Sequence, residues 1–473
     1  MSFNLFYVHS TWAAVAIAIL MPALANTADA QTAPLLNNSA QVTPNLNPNP
    51  NPLQFPTKPE EVRIQQTVPL TLAQTLELAR RNNRDLQVAV LQLQRSRSAL
   101  RESQAALFPT VDINSSVTNS GQGIIDNPSP SNSTTSFNGT AQLNYNLYTS
   151  GSRQATIRQA EEQLRVDELN VETQTREIDL NVTTQYYNLQ QADEQVRINQ
   201  SAVTNAQASL RDAIAREQAG VGTRFDVLQA QVNLADSQQD LTNAITQQQI
   251  ARRQFGTLLS LPQSVDITAA DPVQLAGLWQ QTLEQTIVEA FQNRPELPQQ
   301  LAQRNIYEQQ RRQALSQLGP QLSVVGNYNL LDRFNDSVGV TDGYSVGLQG
   351  SINLFDGGAA KARAAQARSN IAIAETQFAN QRDQIRFNVE QYYAQLQSNL
   401  NNVQTSSIAL EQAREALNIA RIRFQAGVGT QTDVIAAEND LTRTEGNRVT
   451  AILDYNRALA NLQRSVTPRG GAR

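Results

Sequence analysis

Two short stretches decide the fold of this chain: AGVGTRFDV at residues 219–227 and AGVGTQTDV at residues 426–434. They agree at seven of nine positions and lie 207 residues apart. Each contains two glycines, which favour the left-handed backbone at the end of a helix. Each then has a threonine followed three residues later by an aspartate, a pattern that caps the start of the next helix. The sequence therefore predicts a helical hairpin that occurs twice.

Other matches support a repeat of the whole unit. LYTSG at residues 147–151 aligns with LFDGG at residues 354–358 at the same offset of 207. Because such matches occur in the same order along the chain, we interpret it as a tandem structural repeat. Each unit reads helix, strand, loop, strand, long helix, turn, helix. We place the units at residues 70–267 and 268–467, followed by a tail at residues 468–473.

The helices before the two turns are predicted to be very long. No proline or glycine interrupts the stretch Ser152–Gln218, which would extend roughly 100 Å as a helix. Apolar residues recur every seven positions, which predicts coiled-coil packing along a narrow seam. In the first unit these residues are Val182, Leu189, Val196, Val203 and Leu210, and in the second Val389, Leu396, Val403, Leu410, Leu417 and Phe424. Such polar helices must pack side by side in a bundle or a tube.

Two segments between the helices alternate apolar and polar residues. Residues 137–147 and 344–354 do so most clearly, and residues 111–117 and 322–330 are weaker candidates for their partner strands. About ten alternating residues match a bilayer-spanning barrel strand, and the alternative is an ordinary half-buried sheet. The barrel interpretation is favoured because the strands form isolated hairpins between very long helices.

Four strands in one chain leave two open sheet edges. Unpaired backbone groups are not tolerated in hydrocarbon, so copies of the chain must share strands in one closed barrel. Barrels begin at about eight strands, which a dimer or any larger ring provides. The predicted fold class is mainly α with membrane β, and the long helices continue the barrel as a tube.

Composition argues against an enzyme and against nucleic-acid binding. The chain of 473 residues has no cysteine, and His9 is its single histidine. Those counts exclude Cys/His zinc sites, thiol nucleophiles and histidine bases. A net charge of −5 gives no basic face for nucleic acid. The mean hydropathy of −0.42 excludes a bundle of transmembrane helices. We predict no catalytic residue, cofactor or metal site.

The N-terminal region is predicted to be a secretory signal followed by a linker. Residues 12–24 form an apolar run too short to span a bilayer, and A-x-A motifs follow it. We interpret residues 1–30 as a signal peptide cleaved after Ala25 or Ala30, with an uncleaved hydrophobic anchor as the alternative. Residues 31–69 are rich in proline and asparagine and are predicted to be an extended linker.

The paired turns, the LFDGG passage and the tandem helix–hairpin–helix units resemble the TolC family of outer-membrane efflux proteins over about residues 70–466. The resemblance implies a homotrimer with a 12-stranded outer-membrane β-barrel and a coiled-coil α-helical barrel in the periplasm. It implies the exit duct of a tripartite efflux pump or a type I secretion system. The implied partners are outer-membrane lipid, a periplasmic adaptor (membrane fusion) protein and an inner-membrane transporter of the ABC or resistance-nodulation-division type.

The resemblance also places the two turns at the periplasmic tip, where the tube narrows. There Asp226 and Asp433 from three chains would form a ring of six carboxylates that binds cations. Links of these aspartates to Arg224, Arg216 or Arg423 would favour the closed state. The alternative is a purely structural role for the turns as helix ends and caps.

The exposed part of the same turns is the predicted adaptor contact, because small residues let another helical tip approach closely. Its residues are Gly220, Val221, Gly222, Thr223, Gly427, Val428, Gly429 and Thr430. The chain departs from the family pattern at LYTSG, which lacks the acidic residue, and at Ala436, where some members have a second tip acid.

Two other classes of protein remain as alternatives. A periplasmic coiled-coil adaptor usually has one helical hairpin flanked by compact β-domains, whereas here strands interrupt two equivalent helical units. A secreted helical filament protein would leave the alternation of the strands unexplained.

Overall fold

The computed structural model describes residues 46, 51, 53–122, 132–334 and 339–468. All of them belong to one compact unit, Thr43–Arg473. Three predicted segments lie wholly or mostly outside the described residues. They are the signal peptide, the part of the linker up to residue 52, and the tail. Among the helices of the described residues, none has an apolar stretch long enough to cross a membrane.

The helices and strands alternate in two similar series. The helices are α1 (Pro59–Val62), α2 (Leu72–Asn82), α3 (Arg84–Ala105), α4 (Ser152–Gln218), α5 (Arg224–Leu258), α6 (Leu283–Asn293), α7 (Glu296–Ser316), α8 (Ala359–Gln425) and α9 (Gln431–Val466). The strands are β1 (Gln66–Leu70), β2 (Thr110–Gln122), β3 (Asn132–Tyr148), β4 (Val265–Ala269), β5 (Gln321–Arg333) and β6 (Thr341–Ser351).

The two longest helices, α4 and α8, are each 67 residues long. The bounds of α4 are those predicted from the absence of proline and glycine. Most of the heptad positions are buried, as coiled-coil packing requires. The buried members are Val182, Leu189, Val203, Val389, Leu396, Val403, Leu410 and Leu417. Long helices with a narrow apolar seam are therefore what this sequence forms.

The helices pack side by side. Near the turns the order of packing is α5, α4, α9, α8, and near the strands it is α3, α4, α7, α8. Helix α8 thus forms one edge of the layer along its whole length. Helices α3 and α5 together form the opposite edge.

The main sheet is antiparallel, with strand order β2-β3-β5-β6. Strands β2 and β3 extend further than predicted. The prediction that the last strand reaches residue 354 was wrong, since β6 ends at Ser351 opposite Gln321. The pairing stops there because the preceding Pro320 has no N–H to donate. Strands β2 and β6 each have one edge without a partner strand in the described part of the chain.

A small parallel sheet lies across the predicted domain boundaries. Strand β1 pairs with β4, from Gln66 opposite Val265 to Leu70 opposite Ala269. Regular structure therefore begins inside the segment predicted as a linker at residues 31–69. The predicted boundary between residues 267 and 268 falls within β4. Each unit also begins with two helices instead of one.

Candidate functional site

The first turn, between α4 and α5, is a glycine-dependent helix end. The backbone N–H groups of Val221 and Gly222 both donate to the carbonyl oxygen of Arg216, at 3.0 Å. Gly220 has a φ of +72°, which L side chains rarely adopt. A Cβ atom on Gly222 would lie 3.0 Å from the Cβ of Arg216, closer than ordinary packing permits. The backbone geometry of the turn therefore explains why both positions are glycine.

The second turn, between α8 and α9, has the same backbone geometry. Val428 and Gly429 donate to the carbonyl oxygen of Arg423 at 3.0 Å, and Gly427 has a φ of +77°. A Cβ atom on Gly429 would lie 3.1 Å from the Cβ of Arg423. The matching sequences at residues 219–227 and 426–434 therefore fold into matching turns.

Each turn is followed by a reciprocal helix cap. The backbone N–H of Thr223 donates to Asp226 Oδ2 at 3.0 Å, and the N–H of Asp226 donates to Thr223 Oγ1 at 3.2 Å. Thr430 and Asp433 form the same pair at 3.0 and 3.1 Å. Hydrogen bonds from the backbone and side chain of Thr430, with the charge of Arg423, lower the pKa of the Asp433 carboxyl. Within one chain, both aspartates thus help to cap the start of the helix that follows the turn.

Arg216 joins the first hairpin to the second. Its guanidinium donates to the carbonyl oxygen of Phe424, in the last turn of α8. Its Cζ also lies 4.4 Å from the centre of the Phe424 ring, a cation–π contact. A positive charge is favoured at the C-terminus of a helix, where carbonyl groups lack partners. We call this contact between Arg216 and Phe424 the Arg216 clasp.

The other two predicted arginines have different surroundings. Arg224 lies 3.8 Å from Glu217, at the end of α4. Arg423 is exposed and forms no ion pair with another described residue. The predicted links of Asp226 and Asp433 to Arg216 or Arg224 are absent among the described residues of one chain. The carboxylates are occupied by their own helix caps, so the arginines contact other groups.

A buried polar group also joins the hairpins, and the sequence did not indicate it. Glu438 Oε1 accepts hydrogen bonds from Ser209 Oγ at 2.8 Å and Arg421 Nη2 at 3.0 Å, while Oε2 has no partner among the described protein atoms. Glu438 lies one turn after buried Val434, on the same face of α9. An acidic residue on an apolar seam is the signal that could have identified it.

The predicted adaptor contact is accessible at its centre. Val221 and Val428 are 70% and 69% exposed. Gly222 and Gly429 are partly covered by the preceding helical turns. In the described parts of the chain, no cluster of three or more His, Cys, Asp or Glu side chains could hold a metal ion.

The described residues thus combine long paired helices with an antiparallel sheet whose strands are long enough to cross a bilayer. The model of the family described as outer membrane efflux protein matches residues 75–260 and 286–466. The chain belongs to that family. The predicted resemblance and outer-membrane location are thereby confirmed.

Known relatives agree with this assignment. The pyoverdine export outer membrane protein OpmQ of Pseudomonas putida is 27% identical over 197 residues. That match covers 40% of this chain and 42% of OpmQ, so the chain aligns with less than half of this relative.

Two crystal structures show the same fold at low identity. The outer membrane protein VceC of Vibrio cholerae superposes with a TM-score of 0.71 at 18% identity, covering 84% of this chain and 95% of VceC. The CmeC outer membrane channel of Campylobacter jejuni superposes with a TM-score of 0.72 at 16% identity. It covers 89% of this chain and 94% of CmeC. The predicted fold class is confirmed.

Proposed function

We propose that three copies of this chain form the exit duct of an efflux or secretion machine, leading from an inner-membrane transporter across the periplasm and outer membrane. The observation that carries the proposal is the sheet with two unpaired edges, β2 and β6. Backbone groups on such edges need partners in a bilayer, and pairing β6 of one copy with β2 of the next satisfies them. Three chains of four strands give a 12-stranded barrel.

The helical layer supports closure by the same operation. The α8 edge carries exposed apolar side chains, namely Phe387, Ile408, Ile419 and Ile422. The opposite edge carries others on α5, namely Phe225, Leu228, Val232, Ile245 and Ile250. Two different apolar edges on one chain produce head-to-tail contacts, which close into a ring when the rotation between copies permits.

The proposed gate is the ring of hairpin tips at the periplasmic end. Asp226 and Asp433 from three chains would present six carboxylates to cations entering the duct. Within each chain the Arg216 clasp would keep the two tips together. Between chains, Arg423 would occupy the position equivalent to Arg216 and face Glu217 of the partner subunit, since Glu217 is the counterpart of Phe424. Closure would then depend on two kinds of contact.

The proposed partners are a periplasmic adaptor and an inner-membrane transporter, which would select the cargo. The adaptor would contact the exposed tips, centred on Val221 and Val428. Single cysteines at these positions are expected to crosslink to the adaptor when the pump is assembled in cells. Thr242→Cys, exposed on α5 but several turns from the tip, is the control. Equal crosslinking of all three variants, or none at the tips of an assembled channel, would argue against this contact.

The duct itself is tested by reconstitution. The purified full-length protein is expected to have three times the mass of one chain and to conduct ions across a planar lipid bilayer. Its gene is expected to restore efflux to cells that lack their own outer-membrane channel. A monomeric particle without conductance would contradict the proposal and would favour the adaptor or filament alternative.

A further inference from the structure

A cavity lies where the first long helix meets the sheet. It has a volume of about 460 Å³, within the range of ligand pockets, and lies between the start of α4 and the end of α7. Ser150 and Gly319 line the end of the cavity that is nearest the strands. There the Ser150 hydroxyl donates to the Pro320 carbonyl at 2.5 Å. A side chain on Gly319 would overlap Ser150, so the glycine permits this close junction.

The position of the cavity relates it to the membrane surface. Strand β3 ends at Tyr148, and α4 begins at Ser152. On the other side of the cavity, α7 ends at Ser316 and β5 begins at Gln321. If the strands cross the bilayer as proposed, this junction lies at the periplasmic membrane surface, where phospholipid headgroups are found.

The cavity combines cations with an unused acceptor. Arg158 is exposed and forms no ion pair with another described residue, whereas Arg312 shares Glu308 with Arg311. Gln309 is only 8% exposed, and its carboxamide oxygen has no hydrogen-bond partner among the described protein atoms. A buried acceptor without a donor is costly, so this oxygen favours a ligand that brings an N–H or O–H group.

The equivalent junction of the second unit provides its own anion. There the Asp356 carboxylate accepts hydrogen bonds from Ala360 at 2.6 Å and Gly358 at 2.9 Å, at the start of α8. In the first unit the same position is Thr149, whose neutral hydroxyl accepts one hydrogen bond, from the backbone N–H of Arg153 at 3.2 Å. The start of α4 therefore lacks the negative charge that stabilises the start of α8.

We propose that this cavity binds the headgroup of a phospholipid that carries a hydrogen-bond donor, with phosphatidylethanolamine as the ligand. The phosphate would contact Arg158 and Arg312 beside the start of α4. The Gln309 carboxamide oxygen is itself buried, so its side chain would turn toward the cavity to accept a hydrogen bond from the ammonium group. The inference rests on the proposed membrane placement, and it assigns to the first unit a lipid that the second unit, with Asp356, does not need.

The test is native mass spectrometry of the delipidated full-length protein titrated with phosphatidylethanolamine. Arg158→Gln is expected to weaken binding about tenfold, the effect of losing one charge-assisted contact. Arg165→Gln, two turns further along α4 on the same face and outside the cavity, is the matched control and is expected to change nothing. Equal binding by the two variants would overturn the proposal.

Two further binding measurements identify the headgroup and show whether it comes from a lipid. Phosphatidylcholine has no N–H donor, so wild type should prefer phosphatidylethanolamine and Gln309→Met should lose that preference. Soluble glycerophosphoethanolamine should bind far more weakly, and equal binding would overturn the assignment to lipid. Conductance of the same samples separates the two proposals, because a channel that conducts without selective lipid binding refutes only this site.

Discussion

The two hairpin tips share one backbone geometry but differ in the side chains around it. Arg216 and Arg423 occupy equivalent positions, and each carbonyl receives two hydrogen bonds from its turn. Arg216 stacks on Phe424 of the same chain, whereas Arg423 is exposed. The residue equivalent to Phe424 in the first hairpin is Glu217. The two units thus share the residues that form the turn but differ in the residues that the turn contacts.

The largest effect is expected from the Arg216 clasp. Arg216→Ala removes a charge-assisted hydrogen bond and a cation–π contact, together about 2–4 kcal/mol in favour of the closed tips. The open probability of single channels should therefore rise by about 30-fold or more, until opening saturates. Arg211→Ala, exposed on the same helix, is the control. Equal open probabilities in the two variants would show that the clasp does not restrain the gate.

A second effect concerns the carboxylates of both tips. Asp226→Asn combined with Asp433→Asn should weaken block by divalent cations about tenfold, because charge is lost while asparagine can still cap a helix. Unchanged block in single-channel recordings would exclude the carboxylate ring.

The pH dependence of that block follows from the pKa of Asp433, which is lowered in the folded chain. Its cap stabilises the tip above the ordinary aspartate pKa of about 3.9 and is lost as pH falls through the lowered value. Wild-type block by divalent cations should therefore persist at pH 5. Loss of block between pH 7 and pH 5 would indicate a different titrating group.

The contrast between the tips predicts a smaller effect that depends on salt. Arg423→Ala should raise the open probability about fivefold at low ionic strength, the value of an exposed ion pair of about 1 kcal/mol. Increasing salt should remove this difference, because exposed pairs are screened. The Arg216→Ala effect should change less with salt. Identical salt dependence of the two variants would contradict the assignment of different partners to Arg216 and Arg423.

The smallest effect isolates the aromatic ring of Phe424. Phe424→Leu keeps the backbone carbonyl and the apolar character but removes the cation–π contact, worth about 0.5–1 kcal/mol. The open probability should rise about threefold in the same recordings. A change as large as that of Arg216→Ala would mean that the ring, and not the carbonyl, provides most of the clasp.

Much of the fold was predictable because its signals are local. The absence of proline and glycine defined α4, and the glycines with Thr223 and Thr430 defined both turns. The end of β6 was missed because it depends on where the partner strand begins, and β5 begins at Gln321, directly after Pro320. The parallel pairing of β1 with β4 was missed because it joins segments about 200 residues apart, which no local pattern indicates.

The candidate site was also predictable in part. The positions of Asp226 and Asp433 as helix caps follow from their spacing to threonine. The Arg216 clasp does not, because it depends on how one hairpin is rotated against the other. Phe424 fitted the heptad seam and was interpreted as packing, whereas in the structure its ring and carbonyl face Arg216.

The central claim is that the open edges of one chain are closed by identical copies. Electron cryomicroscopy of the detergent-solubilised full-length protein tests it most directly. The account predicts a particle with three-fold symmetry in which β6 of each chain pairs with β2 of the next in one closed barrel. A monomer, another rotational symmetry, or edges of β2 and β6 left unpaired would contradict it.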